Sequence, residues 1–379
     1  MASFYSPVRI VTGDGCFSSL GKEAAGLGRR ALLVCGASAR VSGLLERARE
    51  GLQAAGLAVS LFDGVHGEPM LRTVAAALDA CWASEPDVII GIGGGSALDV
   101  AKAVAGLAEA QGEPREYLAG RALEAPSLPW LAVPTTSGTG AEVTMNAVLI
   151  DEETCSKQSI RGESLYARVA LLDPLLTLSL PPKTTACSGA DALCQALESY
   201  VSTAAMPVTD ALCREAIRLI GRSLLAAYRD GSNLEARRDM QYGSLMAGMA
   251  LASARLGAVH GMAHPLGCRH RLRHGLICGL LLPYVMEWNL PAVTARYAEV
   301  APLLGVEVGG MSTDEAARAA LQRVRELMRE VSIPERLGEV AVREIEWEAV
   351  ARESMSSSMK HNPRPMAEGD VIELLRSAL

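Results

Sequence analysis

Residues 90–102 read IGIGGGSALDVAK. The segment starts inside the apolar run DVIIGIG, meets three consecutive glycines at 93–95, and turns at Ser96 into alanine-rich sequence. A buried strand followed at once by a helix is the expected local structure. A tight strand–helix turn by itself needs one or two glycines, and here there are three. Glycines let a backbone approach an anion closely, and the free N–H groups of a helix N-terminus bind phosphate. The segment is neither the G-x-G-x-x-G fingerprint nor a GK[ST] phosphate loop. Asp99 and Lys102 follow one turn apart. They are either solvated surface charges or, for Asp99, a brace for the loop.

Outward from this segment the first half alternates short β-branched runs (31–35, 58–62, 88–92, 130–133, 147–150, 169–172) with helical patterns (43–55, 70–84, 97–110). That alternation predicts parallel β–α–β units, a Rossmann-like α/β nucleotide-binding domain spanning 1–180. A second loop, PTTSGTGAE at 134–142, follows the strand at 130–133, where such sheets bind ligand. Beyond Pro181 and Pro182 no convincing strand is found. Helical patterns at 184–201, 207–228, 234–263, 293–304, 313–331 and 368–379 predict an all-α C-terminal domain, 181–379.

The 379 residues suit two domains, and 49% apolar content suffices for sizeable cores. A net charge of −7 and a pI near 5.5 argue against a nucleic-acid partner. Mean hydropathy is +0.19, yet no run approaches the roughly 18 uninterrupted apolar residues of a membrane span. The N-terminal MASFYSPVRIVTGDG has no basic-then-apolar signal pattern, so a cytoplasmic protein is expected. Nine cysteines without a CxxC pair read as reduced, mostly core residues.

Four of the six histidines fall between 260 and 274, in LGAVHGMAHPLGCRHRLRHG. His260 and His264 share one helix face, and a loop can return His274 to them. Histidine is the commonest metal ligand, and a buried polar cluster is costly unless it coordinates something. The rival reading is a chance cluster on a basic surface loop. SGADALCQALESY at 188–200 places Asp191, Gln195 and Glu198 on one helix face. Asp191 is either a helix N-terminal charge or an oxygen ligand joining His260 and His274.

The motifs GGGSALDVAK, PTTSGTGAE, VALLDP, GADALCQALESYVS and GAVHGMAHPLG, in this order, resemble the iron-containing (group III) alcohol dehydrogenases, a family with lactaldehyde reductases, propanediol dehydrogenases and the related maleylacetate reductases. The resemblance runs nearly the full length. It implies a nucleotide domain, a helical metal-binding domain and a cleft between them. It makes Asp191, His260 and His274 ligands of one divalent metal, Fe2+ or Zn2+, with His264 nearby for proton relay. Gly94, Gly95 and Ser96 would hold the pyrophosphate, Thr135, Thr136 and Thr139 would line the nucleotide, and Lys157 would reach the nicotinamide ribose.

Two departures stand out. The family's fourth ligand is a histidine where this chain has Gln195, a weaker donor that makes the site harder. A maleylacetate reductase-like enzyme without metal is therefore an alternative. Members specific for NAD carry an aspartate after the strand at 31–35. Here Gly36, with Ser38 and Arg40, leans towards NADPH within an expected NAD(P)(H) requirement. Arg255, Arg271 and Arg273 flank the histidine motifs where relatives carry small or uncharged residues. Arginine matches carboxylate, phosphonate or sulfonate bidentately, so the expected partner is a small, anionic carbonyl compound or its alcohol. The bland reading has these arginines facing water or paired with Glu198, Glu215 or Glu287. A dehydroquinate synthase-like lyase is the rival reaction class. The expected assembly is a homodimer.

Overall fold

The computed structural model describes residues 3–340 and 345–379. These fall into two compact units. One comprises Ser6–Thr136 and Ala141–Ser179, and the other the described residues within Met1–Tyr5, Ser137–Gly140 and Leu180–Leu379.

The first unit is the α/β unit. Its elements in chain order are β1 (Arg9–Thr12), α1 (Leu20–Ala25), β2 (Arg30–Gly36), α2 (Ala37–Val41), α3 (Leu44–Ala54), β3 (Ala58–Val65), α4 (Leu71–Ser84), β4 (Val88–Gly93), α5 (Gly95–Leu107), α6 (Pro114–Leu118), β5 (Trp130–Pro134), β6 (Asn146–Asp151), β7 (Ser156–Arg161) and β8 (Val169–Leu172). Six strands form a parallel sheet in the order β1-β8-β5-β4-β2-β3. Every residue of β4 and β5 is buried, as a sheet covered on both faces requires. Leu33, Ile90, Ile92 and Leu131 pack with Leu45, Ala48 and Leu52 of α3 on one face. The strand order reverses direction between β2 and β4, because β2 leads to β3 on one side while β4 and β5 extend the other. The crevice beyond the carboxyl ends at such a reversal is where α/β sheets take ligands. Register pairs Cys35 with Ile92 and Gly93 with Pro134, so the ends of β2, β4 and β5 stand side by side there.

Two strand assignments differ from the sequence reading. Residues 147–150 are a strand, but β6 pairs antiparallel with β7 in a separate hairpin. β1 is only four residues long, partly exposed, and carries no alternating signal. Asp99 and Lys102 are not surface charges. Both are buried, 3.7 Å apart, and Lys102 donates to Thr144 Oγ1 (3.1 Å) and the Asn146 carbonyl (2.8 Å). Asp99 accepts from the Val148 N–H, so it braces the hairpin.

The second unit is helical: α7 (Pro182–Val201), α8 (Pro207–Arg229), α9 (Leu234–Ala254), α10 (Ala258–His270), α11 (His274–Leu303), α12 (Thr313–Glu330), α13 (Trp347–Ser354) and α14 (Glu368–Ser377). α7 is its axis, buried at nearly every position from Thr185 to Val201. The single helix expected over 234–263 is two. Arg255 adopts φ +68° and ends α9, and α10 restarts after Gly257. The helix expected at 293–304 is the end of α11, which kinks at Val293 (φ −136°, ψ 30°), two residues after Pro291. α11 is long and apolar enough to cross a membrane by length and composition alone. However, 61% of its most apolar window is buried within the protein, as in a core helix. None of the nine cysteines is in a disulfide among the described residues, and six of them are buried.

Candidate metal centre and nucleotide loops

Three helices deliver the side chains of the candidate metal centre. α7 supplies Asp191, Gln195 and Glu198 at 3%, 4% and 5% exposure. α10 supplies His260, also buried, and the half-buried His264. α11 opens on His274. Gly275 allows this last approach, since a Cβ there would overlap the Cys187 carbonyl oxygen and stand 3.3 Å from the Asp191 Cβ. Only glycine lets α11 sit close enough to α7 for His274 to face Asp191.

Asp191 Oδ1 lies 3.4 Å from His260 Nε2 and 3.7 Å from His274 Nε2. Neither approach has hydrogen-bond geometry, so this buried oxygen has no hydrogen-bond partner among the described residues, and neither has Gln195 Oε1. A bare buried carboxylate oxygen costs several kcal/mol. A divalent cation held between it and two imidazole nitrogens removes that cost, so the residues fit the metal the motifs imply. The other face of His260 is fixed. Its Nδ1–H donates to Glu198 Oε2 at 2.6 Å, and Glu198 Oε1 accepts from the Val259 N–H at 2.7 Å. Such a carboxylate sets the tautomer that aims Nε2 at a metal. Burial opposes a charge on His260, but Cys278, Glu198 and Asp191 outweigh it and hold its pKa well above the usual imidazole value.

The imidazole of His264 lies 5.3 Å from that of His274 and 6.5 Å from that of His260, ring centre to ring centre. It neighbours the cluster formed by Asp191, His260, His274 and Cys278 without belonging to it. Cys278 was not visible as a site residue in the sequence. Its thiol lies 3.6 Å from His274 Nε2 and 4.0 Å from His260 Nε2. The i, i+4 spacing to His274 is the signal that finds it, once a helix is known to start at His274.

The arginines divide by position. Arg271 and Arg273 are exposed on either side of the α10–α11 turn, directly before His274. Arg255 is half-buried, and its carbonyl accepts from Ser199 Oγ. None of the three has an ion-pair partner among the described residues. The acidic partners weighed for them are engaged elsewhere: Glu198 with His260, Glu215 with Arg218, Glu287 with Arg325.

In the α/β unit, β4 ends at Gly93 and α5 begins at Gly95 with Gly94 as N-cap and no capping side chain. The N–H groups of Gly95 and Ser96 are thus available to an anion at the sheet's reversal point, whereas those of Ala97 and Leu98 donate to the Gly94 carbonyl. Thr136 lies against Gly94, and the Thr135 N–H is spent on the Gly93 carbonyl. Thr139 belongs to the 137–140 segment that groups with the helices, so the threonine loop is divided between the units. Lys157 on β7 is ion-paired with Glu68 at 2.7 Å. Gly36 ends β2 where the register shifts, and a Cβ there would come within 2.5 Å of the Val65 carbonyl oxygen. Packing alone therefore requires glycine at 36. Ser38 and Arg40 are exposed on α2, with Arg40 ion-paired to Asp63.

Comparison with known proteins places this architecture. The family model "Iron-containing alcohol dehydrogenase" matches residues 7–174, and "Fe-containing alcohol dehydrogenase family, C-terminal" matches 185–379. The chain belongs to the iron-containing alcohol dehydrogenase family, and is an oxidoreductase acting on CH–OH groups. It is 37% identical to the 1,3-propanediol dehydrogenase of Klebsiella pneumoniae, over 99% of this chain and 96% of that one. Among solved structures it resembles a 1,3-propanediol oxidoreductase (36% identity, full coverage of both chains, TM-score 0.97). It also resembles the sulfoacetaldehyde reductase of Bifidobacterium kashiwanohense solved with NAD+ (28% identity, 100% of this chain and 98% of that one, TM-score 0.90).

Proposed function

We propose that this chain is a metal-dependent, NAD(P)-linked dehydrogenase that interconverts a small anionic aldehyde or ketone, bearing carboxylate, phosphonate or sulfonate, with its alcohol. One observation carries the catalytic part: a buried carboxylate oxygen, Asp191 Oδ1, without a hydrogen bond among the described residues and facing two imidazole nitrogens. Asp191, His260 and His274 hold the ion, with Gln195 beside them where the family's fourth ligand falls. When bound, the ion supplies Lewis acidity towards the carbonyl oxygen and the nicotinamide supplies hydride to its carbon. Glu198 keeps His260 in the liganding tautomer. His264 exchanges the proton of the alcohol oxygen with solvent.

Arg271 and Arg273 support the anionic substrate. Two exposed guanidinium groups, with no acidic partner among the described residues, directly precede His274, the first residue of α11. Arg255 would join them. On the cofactor, Gly94, Gly95 and Ser96 bind the pyrophosphate, with Thr135, Thr136, Thr139 and Lys157 along the nucleotide. Ser38 and Arg40 favour NADPH, although a 2′-phosphate must draw Arg40 from Asp63. The working assembly in this reading is a homodimer. The test compares an anionic with a neutral aldehyde of equal length, using NADH and NADPH, in wild type and in Arg271→Ala and Arg273→Ala. The expected result is a lower KM for the anionic aldehyde that rises at least ~10-fold in a variant, the loss of one charge-assisted pair. A wild-type preference for the neutral aldehyde, unchanged by either variant, overturns the anionic assignment.

A further inference from the structure

We propose that the fourth protein ligand of the metal is the thiolate of Cys278, and that the resulting Asp191–His260–His274–Cys278 set makes this a zinc-selective centre. The inference rests on the metal-dependent reading above and deepens it. Cys278 is fully buried and one helical turn beyond His274 on α11, so both side chains leave the same face of the helix towards Asp191. All four donor atoms lie within 4.8 Å of one another.

Four of the six donor separations lie near tetrahedral edges, and the substrate's carbonyl oxygen would enter as a fifth ligand. Zinc bond lengths of about 2.3 Å to sulfur and about 2.0–2.2 Å to nitrogen and oxygen give tetrahedral edges of about 3.6 Å for N···S and about 3.4 Å for N···O. The observed N···S edges are 3.6 and 4.0 Å, and the N···O edges are 3.4 and 3.7 Å. Along these four edges the site needs only a few tenths of an ångström of contraction. Gln195, the alternative fourth ligand, offers a neutral amide oxygen. A thiolate adds a negative charge and a soft donor, which favours zinc over harder-site metals. The glutamine at 195 and the cysteine at 278 together convert a nitrogen-rich centre into one with a sulfur ligand. Cys194 is the other thiol at hand, but it lies 3.9 Å from His260 Nδ1, on the side of the ring that faces Glu198.

The test uses the full chain, stripped of metal and reconstituted with Co2+. Wild type should show sulfur-to-cobalt charge transfer in the near ultraviolet together with visible d–d bands, at one cobalt per chain by elemental analysis. Cys278→Ser should lose the charge-transfer band and keep the d–d bands, whereas Cys194→Ser should keep both. Zinc affinity in Cys278→Ser should fall by more than the ~10–100-fold typical of losing a supporting hydrogen bond, while Gln195→Ala should lose less. Stoichiometric cobalt with d–d bands but no charge transfer in wild type would leave the metal centre standing and overturn the sulfur ligand. Because that reading needs only the wild-type protein, misfolding of a variant does not blunt it. Failure to take up cobalt at all would overturn the metal-dependent reading as well.

Discussion

His260 Nδ1 is tied to Glu198 at 2.6 Å, and that bond decides which ring nitrogen faces Asp191. The same carboxylate accepts the Val259 N–H and so caps the helix that carries His260. Glu198→Gln keeps the shape but loses the charge-assisted bond and the fixed tautomer. Metal affinity should drop ~10–100-fold, the range for losing such a supporting carboxylate. Competition with a fluorescent chelator measures it, and an unchanged affinity would show that the tautomer is set by something else. Glu198 was legible in the sequence only as part of a polar helix face. Its role was not, because His260 is 62 positions away and the partner choice is tertiary.

At the scale of elements, the centre depends on how closely α11 approaches α7, and Gly275 sets that distance. Gly275→Ala places a methyl into the Cys187 carbonyl. The helices must part, at a cost of about 1–3 kcal/mol for overpacking, and His274 withdraws from Asp191. The expected outcome is a lower melting temperature together with substoichiometric metal. A variant of normal stability and full metal content would mean that α11 slides without moving His274. The break between α9 and α10 follows the same logic. Apolar residues stand on both sides of Arg255-Leu256-Gly257, so the sequence reads as one helix. The break exists because Glu198 and Asn362 accept the N–H groups of Val259 and Ala258, giving α10 its own start.

At the scale of the α/β unit as a whole, α5 brings a charge network into the interior. Lys102 is wholly buried, with Asp99 3.7 Å away and Glu142 acting on it. Burial is the largest cause that raises the Glu142 carboxyl from 4.5 to about 7, and burial likewise raises Asp99 from 3.8 to about 6. A carboxyl with a raised folded-state pKa binds its proton more tightly in the folded state than in the unfolded one. Stability from Glu142 is therefore full below pH 4.5, falls as pH rises towards 7, and is level above. At about 1.4 kcal/mol per pKa unit, the effect is capped near ~3 kcal/mol. Glu142→Gln should flatten the fall of melting temperature between pH 4.5 and 7. A wild-type profile that rises over this range would refute the assignment of a neutral Glu142.

The sequence by itself determined the class of fold. Strands buried on both faces read as near-continuous apolar runs, and parallel neighbours need a helical crossover between them, so the alternation before residue 180 and its absence afterwards were readable locally. It also raised Asp191, His260 and His274 as candidate ligands, because a buried polar cluster needs a partner and the ordered motifs resemble a metal-dependent dehydrogenase family. The tertiary structure alone decided the rest. It moved 147–150 into a hairpin, because pairing direction depends on which strand is adjacent. It buried Lys102, gave Gly36 a packing reason to be glycine, and left Arg271 and Arg273 without acidic partners among the described residues. It brought Cys278 to within 3.6 Å of His274 Nε2. Each of these depends on the distance between residues remote in sequence or on different faces of an element, and side-chain pattern along one segment carries no such distance.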